Sequence, residues 1–185
     1  MSQLTYPNTS IIMSYLTSSK NLELLKSKKF YRHVFQNYGK YIRFNFMNTK
    51  VTDQDLKYLK GCKYISLNGC CKSISDKGLK YLKGIKIIDL TDCNYPDCKK
   101  ITDKGLKYLK GIKRIYLSYN KNITDEGLKY LKGVQEIDLT LCENISDAGL
   151  MYLTGVKKIY LYGCNVTPRS LFRLKMYGTE EICLY

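Results

Sequence analysis

One histidine (His33), three prolines and no tryptophan occur in a chain of 185 residues. Acid is scarce as well, with 16 Asp and Glu against 31 Lys and Arg and a formal charge of +15. Each shortage excludes something. With one histidine, acid–base catalysis would have to use carboxylates or lysines gathered in a pocket. No CxxC pair is present, and a metal site lacks its usual ligands. No glycine-rich loop follows a strand to cradle a phosphate. These absences argue against an enzyme and against a bound metal or cofactor. No apolar run reaches the roughly 18–20 residues that cross a bilayer. The opening MSQLTYPNTSIIMSYL lacks a basic segment followed by an unbroken apolar core, so no secretory signal is read. The expectation is an intracellular, cytoplasmic protein, with the nucleus left open and no membrane partner. In that compartment eight cysteines do not read as a disulfide framework.

What is abundant is one phrase. ITDKGLKYLKGIK at 101–113 has near copies starting at Val51, Ile74, Ile123, Ile145 and, more loosely, Val166. The spacing of about 22 residues signals a solenoid. In the unit ITDEGLKYLKGVQEIDLTLCEN, Ile137 and Leu139 alternate with Asp138 and Thr140, the period of a strand. Leu128 and Leu131 carry the helical period. Thr124 and Asp125 precede that helix as capping residues. Gly133 follows it where a left-handed residue ends a helix. Each unit is therefore strand, loop, short helix and turn, and stacked units share one core.

The pattern I-x-L-x-x-C-x-x-I-[ST]-D-x-G-L-x-x-L, seen as IDLTLCENISDAGLMYL at 137–153, resembles the cysteine-containing class of leucine-rich repeats. The resemblance covers about 41–185. It implies an α/β solenoid with parallel strands on a concave face and short helices on a convex face. It also implies that Cys70, Cys93, Cys142 and Cys164 lie inside the turns and satisfy loop backbone groups. Asn120 takes that place in one unit and Met47 in the degenerate first one. The recurring Asp53, Asp76, Asp103, Asp125 and Asp147 read as helix caps. The lysine pairs 57/60, 80/83, 107/110 and 129/132 read as solvated charge on the convex face. A basic stripe is also the usual footprint of nucleic acid, which stands as a third-ranked partner class. The neighbouring Tyr58, Tyr81, Tyr108, Tyr130 and Tyr152 read as packing between helices.

The repeated phrase is scaffold, so recognition should lie in the variable text. Apolar pairs from Ile42 and Phe44 through Ile182 and Leu184 face the core. Between them one outward column reads Arg43, Ser66, Asp89, Tyr116, Asp138, Tyr160, Cys183. The next reads Asn45, Asn68, Thr91, Ser118, Thr140, Tyr162, Tyr185. A variable, tyrosine-bearing surface suits a protein partner. The candidate partner site is Arg43, Ser66, Asn68, Asp89, Thr91, Tyr116, Ser118, Asp138, Thr140, Tyr160 and Tyr162. An insertion, NYPDCKK, lengthens the loop after Cys93. The last unit reads V-T-P-R-S-L and departs from the pattern, as terminal repeats do.

Residues 1–40 lack the repeat and read as a small helical module with three helices. These lie around Ile11–Leu16, from a cap at Asn21 through Leu25, and around Phe30–Phe35. The order Pro7, Tyr15-Leu16, Asn21-Leu22 and Lys29-Phe30-Tyr31 resembles an F-box. That resemblance implies docking on a Skp-type adaptor through Pro7, Ile11, Tyr15, Leu16, Leu22, Leu25 and Phe30. The repeats at 41–185 would then choose the substrate of a cullin-type ubiquitin ligase. From the residues alone, 1–40 also reads as a plain cap of the solenoid, and the protein as an interaction scaffold without adaptor binding.

Overall fold

The computed structural model describes residues 18–27, 42–70, 72–92 and 101–184. The expected helices around Ile11–Leu16 and Phe30–Phe35, the insertion after Cys93, His33 and Tyr185 lie outside them. Helix α1 (Ser18–Ser27) precedes seven three-residue strands. These are β1 (Arg43–Asn45), β2 (Tyr64–Ser66), β3 (Ile87–Asp89), β4 (Arg114–Tyr116), β5 (Glu136–Asp138), β6 (Lys158–Tyr160) and β7 (Glu181–Cys183). They form one parallel sheet in sequence order. Each strand repeats the contact of the one before it, which is why one phrase can serve every unit.

A 3-10 turn at Asp55–Leu59 joins β1 to β2. The later connections each hold one α-turn followed by a 3-10 turn. The α-turns are α2 (Asp76–Leu79), α3 (Asp103–Leu106), α4 (Asp125–Leu128) and α5 (Asp147–Leu150). The last connection is a longer helix, α6 (Pro168–Met176). Gly133 closes its 3-10 turn at φ 83°, a conformation that costs an L side chain strain. Between sheet and helices runs one continuous apolar core, from Leu25 through Ile65, Leu106 and Ile137 to Leu174.

The aspartates do something other than cap. The caps of α2 to α5 are Ser75, Thr102, Thr124 and Ser146, whose hydroxyls accept the N–H two residues on. Each aspartate instead reaches forward to the next unit. Asp103 accepts the Thr124 N–H at 2.9 Å and its hydroxyl at 2.7 Å. Asp53, Asp76, Asp125 and Asp147 do the same for Ser75, Thr102, Ser146 and Thr167. At Ser75, Thr102, Thr124 and Ser146 the hydroxyl therefore accepts from an N–H of its own helix and donates its proton to the preceding carboxylate. The hydroxyl and backbone N–H of Thr167 hold the carboxyl of Asp147 below the ordinary carboxylate range.

The glycine of the same motif follows from this. A Cβ on Gly78, Gly105, Gly127 or Gly149 would run into the preceding unit's aspartate and leucine. The first unit has no predecessor, and there the glycine position is Asp55. Its carboxylate accepts both the N–H and the hydroxyl of Thr52 at 2.9 Å. It thus supplies from within the unit what an earlier unit would have supplied. Burial pushes the Asp55 carboxyl up, but the bonds from Lys26 and Thr52 outweigh it and hold it low.

A second ladder runs through the turns. The thiols of Cys70, Cys142 and Cys164 donate to the carbonyls of Phe46, Leu117 and Leu139 at 2.8, 3.2 and 3.0 Å. Asn120 takes the same place and donates to Leu90 and Leu117 at 2.9 and 3.0 Å. Burial pushes the Cys142 thiol up to about 12 and that of Cys164 to about 11, so both keep the donating proton at neutral pH. Cys93 lies outside the described residues. The ladder makes a prediction. Asn120→Cys should hold stability within about 1 kcal/mol, because one donor remains; Asn120→Ala should lose about 1–3 kcal/mol in urea unfolding. Equal losses would show that the ladder bonds are not what the position requires.

Two expectations need correction here. Phe44, not Ile42, pairs with Ile65, so the first strand sits two residues further along than its alternation suggested. Phe44 and Phe46 are the inward pair, with rings stacked 5.9 Å apart. Thr49, not the half-exposed Met47, therefore holds the cysteine place. The second correction concerns α1, which begins at Ser18. Asn21 is interior and buried, not a cap.

Candidate functional site

The outward face of the sheet carries three columns fixed by the register. The first is Arg43, Tyr64, Ile87, Arg114, Glu136, Lys158 and Glu181. The second is Asn45, Ser66, Asp89, Tyr116, Asp138, Tyr160 and Cys183. One further along the chain come Met47, Asn68, Thr91, Ser118, Thr140 and Tyr162. Arg43 and Asn45 each belong one column earlier than the sequence suggested, and Arg43 stands beside Tyr64, 5.5 Å from its ring.

Several members of the columns serve the strands themselves. Asp89 and Asp138 accept the N–H groups of Thr91 and Thr140 at 3.0 and 2.8 Å, and Asn45 accepts that of Met47 at 3.0 Å. These bonds turn the chain out of the strand. Asp89 also receives the Ser66 hydroxyl at 3.0 Å. Ser66 and Ser118 are 3% and 5% exposed, so they floor the surface rather than project from it.

The tyrosines are different. Tyr116 donates its hydroxyl to Glu136 at 3.0 Å, and Arg114 approaches the same carboxylate at 3.5 Å. Burial and then that carboxylate raise the Tyr116 hydroxyl to about 12. Lys158 pairs with Glu181 at 2.7 Å and lies 5.0 Å over the Tyr160 ring. Ion pairing to Glu181 holds the Lys158 ammonium above its ordinary range. Tyr162 is 53% exposed. Tyr116 on β4 and Tyr160 on β6 thus flank Asp138 of β5, each ring held by a side-chain contact, with the exposed Tyr162 just beyond β6.

Sequence reasoning missed Tyr119. It follows β4 at φ 64°, half exposed. The matching positions in the other units are Asn48, Gly69, Asp92, Leu141 and Gly163, all at positive φ. A tyrosine where left-handed backbone favours Asn or Gly is a signal that aligning the units makes visible. Of the adaptor candidates, Leu22 and Leu25 are buried in the solenoid core. Pro7, Ile11, Tyr15, Leu16 and Phe30 lie outside the described residues. Among the described residues, no three His, Cys, Asp or Glu side chains gather as a metal site. Nor is any helix among them long and apolar enough to cross a membrane.

A leucine-rich-repeat family model matches residues 112–132 and 134–153. No curated protein sequence matches the chain. Among solved structures, internalin C2 from Listeria monocytogenes is similar at 24% identity and TM-score 0.50, over 71% of this chain and 54% of that one. A chain of the Drosophila Toll–Spatzle complex is similar at 17% identity and TM-score 0.56, over 80% of this chain and 20% of that one. The chain thus spans about half of the first and a fifth of the second. The parallel register, the side-chain ladders and these matches together identify the fold as a leucine-rich-repeat solenoid.

Proposed function

We propose that the chain is a protein-recognition module whose partner sits on the outward face of β4 to β6. The observation that carries this is the placing of Tyr116 and Tyr119 on the β4 unit and of Tyr160 and Tyr162 on the β6 unit, either side of Asp138 and Thr140 on β5, while the buried positions stay Ile and Leu. Tyrosine supplies contact area and a polar tip at low entropy cost, and such residues dominate interface energetics. Leucine-rich repeats commonly serve as interaction scaffolds, and one similar solved chain comes from a two-protein complex.

Tyr116→Ala with Tyr160→Ala should weaken capture of a specific partner by about 10–100-fold. The unfolding midpoint should change far less, because both rings lie at the surface. Affinity measured by calorimetry, with circular dichroism as the folding control, checks this. Unchanged affinity in a folded double variant would move the site elsewhere.

The finer reading is a substrate receptor of a cullin-type ligase, with a Skp-type adaptor on residues 1–40. Burial of Leu22 and Leu25 against the repeats removes two of its contact residues from the surface. That favours the scaffold reading, in which 1–40 caps the solenoid. Binding of purified adaptor to the full chain would restore the ligase reading.

A further inference from the structure

We propose that the helical side of the solenoid is a docking surface for double-stranded nucleic acid, held by its phosphates without regard to sequence. It is a separate face from the tyrosine surface, and neither proposal depends on the other.

The face carries two columns of exposed lysines. Lys57, Lys80, Lys107 and Lys129 form one, and Lys60, Lys83, Lys110 and Lys132 the other. Within a unit the two lysines are three residues apart, which on a helical turn sets their Cβ atoms about 5–6 Å from each other. The two columns therefore run as parallel rails across four units. At the fifth unit the same places are Met151 and Thr154, so the rails have a definite end.

The sequence supplies each first-column lysine with a carboxylate four residues earlier: Asp53, Asp76, Asp103 and Asp125. On an ordinary exposed helix these would be ion pairs. Here each carboxylate is turned to the Ser or Thr of the next unit. The structural ladder thus turns these carboxylates away from ion pairs with the lysines, although they keep their charge. Among the described residues, Lys129 alone of the eight has an ion pair, with Glu126. Among the described residues the other seven lysines make no ion pair, eight lysines face four carboxylates, and a basic stripe of this kind is an electrostatic footprint for a polyanion.

The aromatic rings decide which polyanion. Tyr58, Tyr81, Tyr108 and Tyr130 are half-buried against the core. Lys57, Lys80 and Lys107 lie 4.9, 4.8 and 4.9 Å over the rings of Tyr58, Tyr81 and Tyr108. Tyr130 is approached by both Lys110 and Lys129 at 5.4 Å. Single-strand binding needs open rings on which bases stack, and these are covered. A membrane surface needs apolar side chains to insert, and along the rails the apolar atoms lie under the lysines. Regularly repeated cations are matched by regularly repeated anions, and a duplex offers phosphates at fixed intervals while hiding its bases.

The test uses the full chain and a fluorescent 20-base-pair DNA duplex of arbitrary sequence, titrated from low to physiological salt. With about four to eight phosphates neutralised, log affinity should fall with log salt at a slope of about −4 to −7. Lys80→Gln/Lys83→Gln/Lys107→Gln/Lys110→Gln should weaken binding on the order of 100-fold and flatten the slope by about 3–4. A control that removes equal charge elsewhere, Lys72→Gln/Lys121→Gln/Lys157→Gln/Lys175→Gln, should retain most of the affinity. Equal losses in both variants would reduce the effect to net charge and overturn the proposal. So would no duplex binding at low salt. So would tighter binding to a single strand, to polyglutamate or to phosphatidylserine vesicles than to the duplex.

Discussion

Gly127→Ala should destabilise the protein by about 1–3 kcal/mol in denaturant unfolding, although local propensity favours the opposite. Gly127 lies inside α4, and in an ordinary helical turn alanine is better than glycine by up to about 1 kcal/mol. Here the added Cβ would collide with the Asp103 carboxylate and the Leu106 side chain of the preceding unit. The carboxylate cannot step aside, because the Thr124 N–H and hydroxyl hold it at 2.9 and 2.7 Å. Asp103→Ala alone should cost about 2–4 kcal/mol, since both bonds go to a charged acceptor. The double variant separates the two effects. With the carboxylate gone, Gly127→Ala should become close to neutral, so the pair is non-additive by at least about 1 kcal/mol. Additive losses would mean that Gly127 is there for some reason other than the room it leaves.

The same clamp shows where reading the sequence succeeds and where it stops. The strand–helix order and the buried Ile and Leu positions follow from alternation and spacing within one unit, the period from the repeated phrase, and the parallel sheet from the resemblance to leucine-rich repeats. The task of Asp103 does not, because its partner is 21 residues away. Local rules see an acid at a helix start and assign it to that helix. The phase of β1 fails for a related reason. Ile42, Phe44 and Phe46 are three apolar residues at strand spacing, and alternation fits either overlapping pair. Only pairing with β2 selects Phe44 and Phe46. On the outward face, the columns from Ser66 onward were legible from alignment of the units. Burial of Ser66 and Ser118 was not, since it depends on how far neighbouring side chains overhang them. Tyr119 was legible in principle, but at φ 64° it lies past the end of β4 and outside the strand alternation.

The two proposed surfaces share one electrostatic cause. The repeated geometry of the phrase engages its aspartates between units, and that leaves most of the rail lysines without a direct ion pair. On the outward sheet face the opposite holds, and Arg114 and Lys158 are matched by Glu136 and Glu181. A chain of charge +15 thereby keeps a nearly balanced, tyrosine-bearing face beside a strongly basic one. The first suits a protein surface, where desolvated unpaired charge is costly. The second keeps its charge in water, where long-range attraction works.

Leu25→Ala should destabilise the whole solenoid by about 2–5 kcal/mol, which decides what the first forty residues are. Leu25 is fully buried, and with Leu22 it belongs to the same core as the repeats. Lys26 adds an ion pair to Asp55 at 2.5 Å, and Asp55 closes the hydrogen-bond ladder at its open end. Helix α1 therefore covers the first unit where a preceding unit would otherwise stand. Were 1–40 a separate adaptor-binding module on a linker, truncating Leu25 would leave the unfolding midpoint of the repeats unchanged. As a cap, it should lower that midpoint in a single cooperative transition, because neighbouring units share their stability. Lys26→Ala is the contrast: its ion pair is partly exposed and should contribute no more than about 1 kcal/mol. A large effect of Leu25→Ala beside a small one of Lys26→Ala would assign the segment's stabilising role to apolar burial. Two separate transitions, with only the first shifted, would instead make 1–40 an independent domain and return Leu22 and Leu25 to the adaptor question.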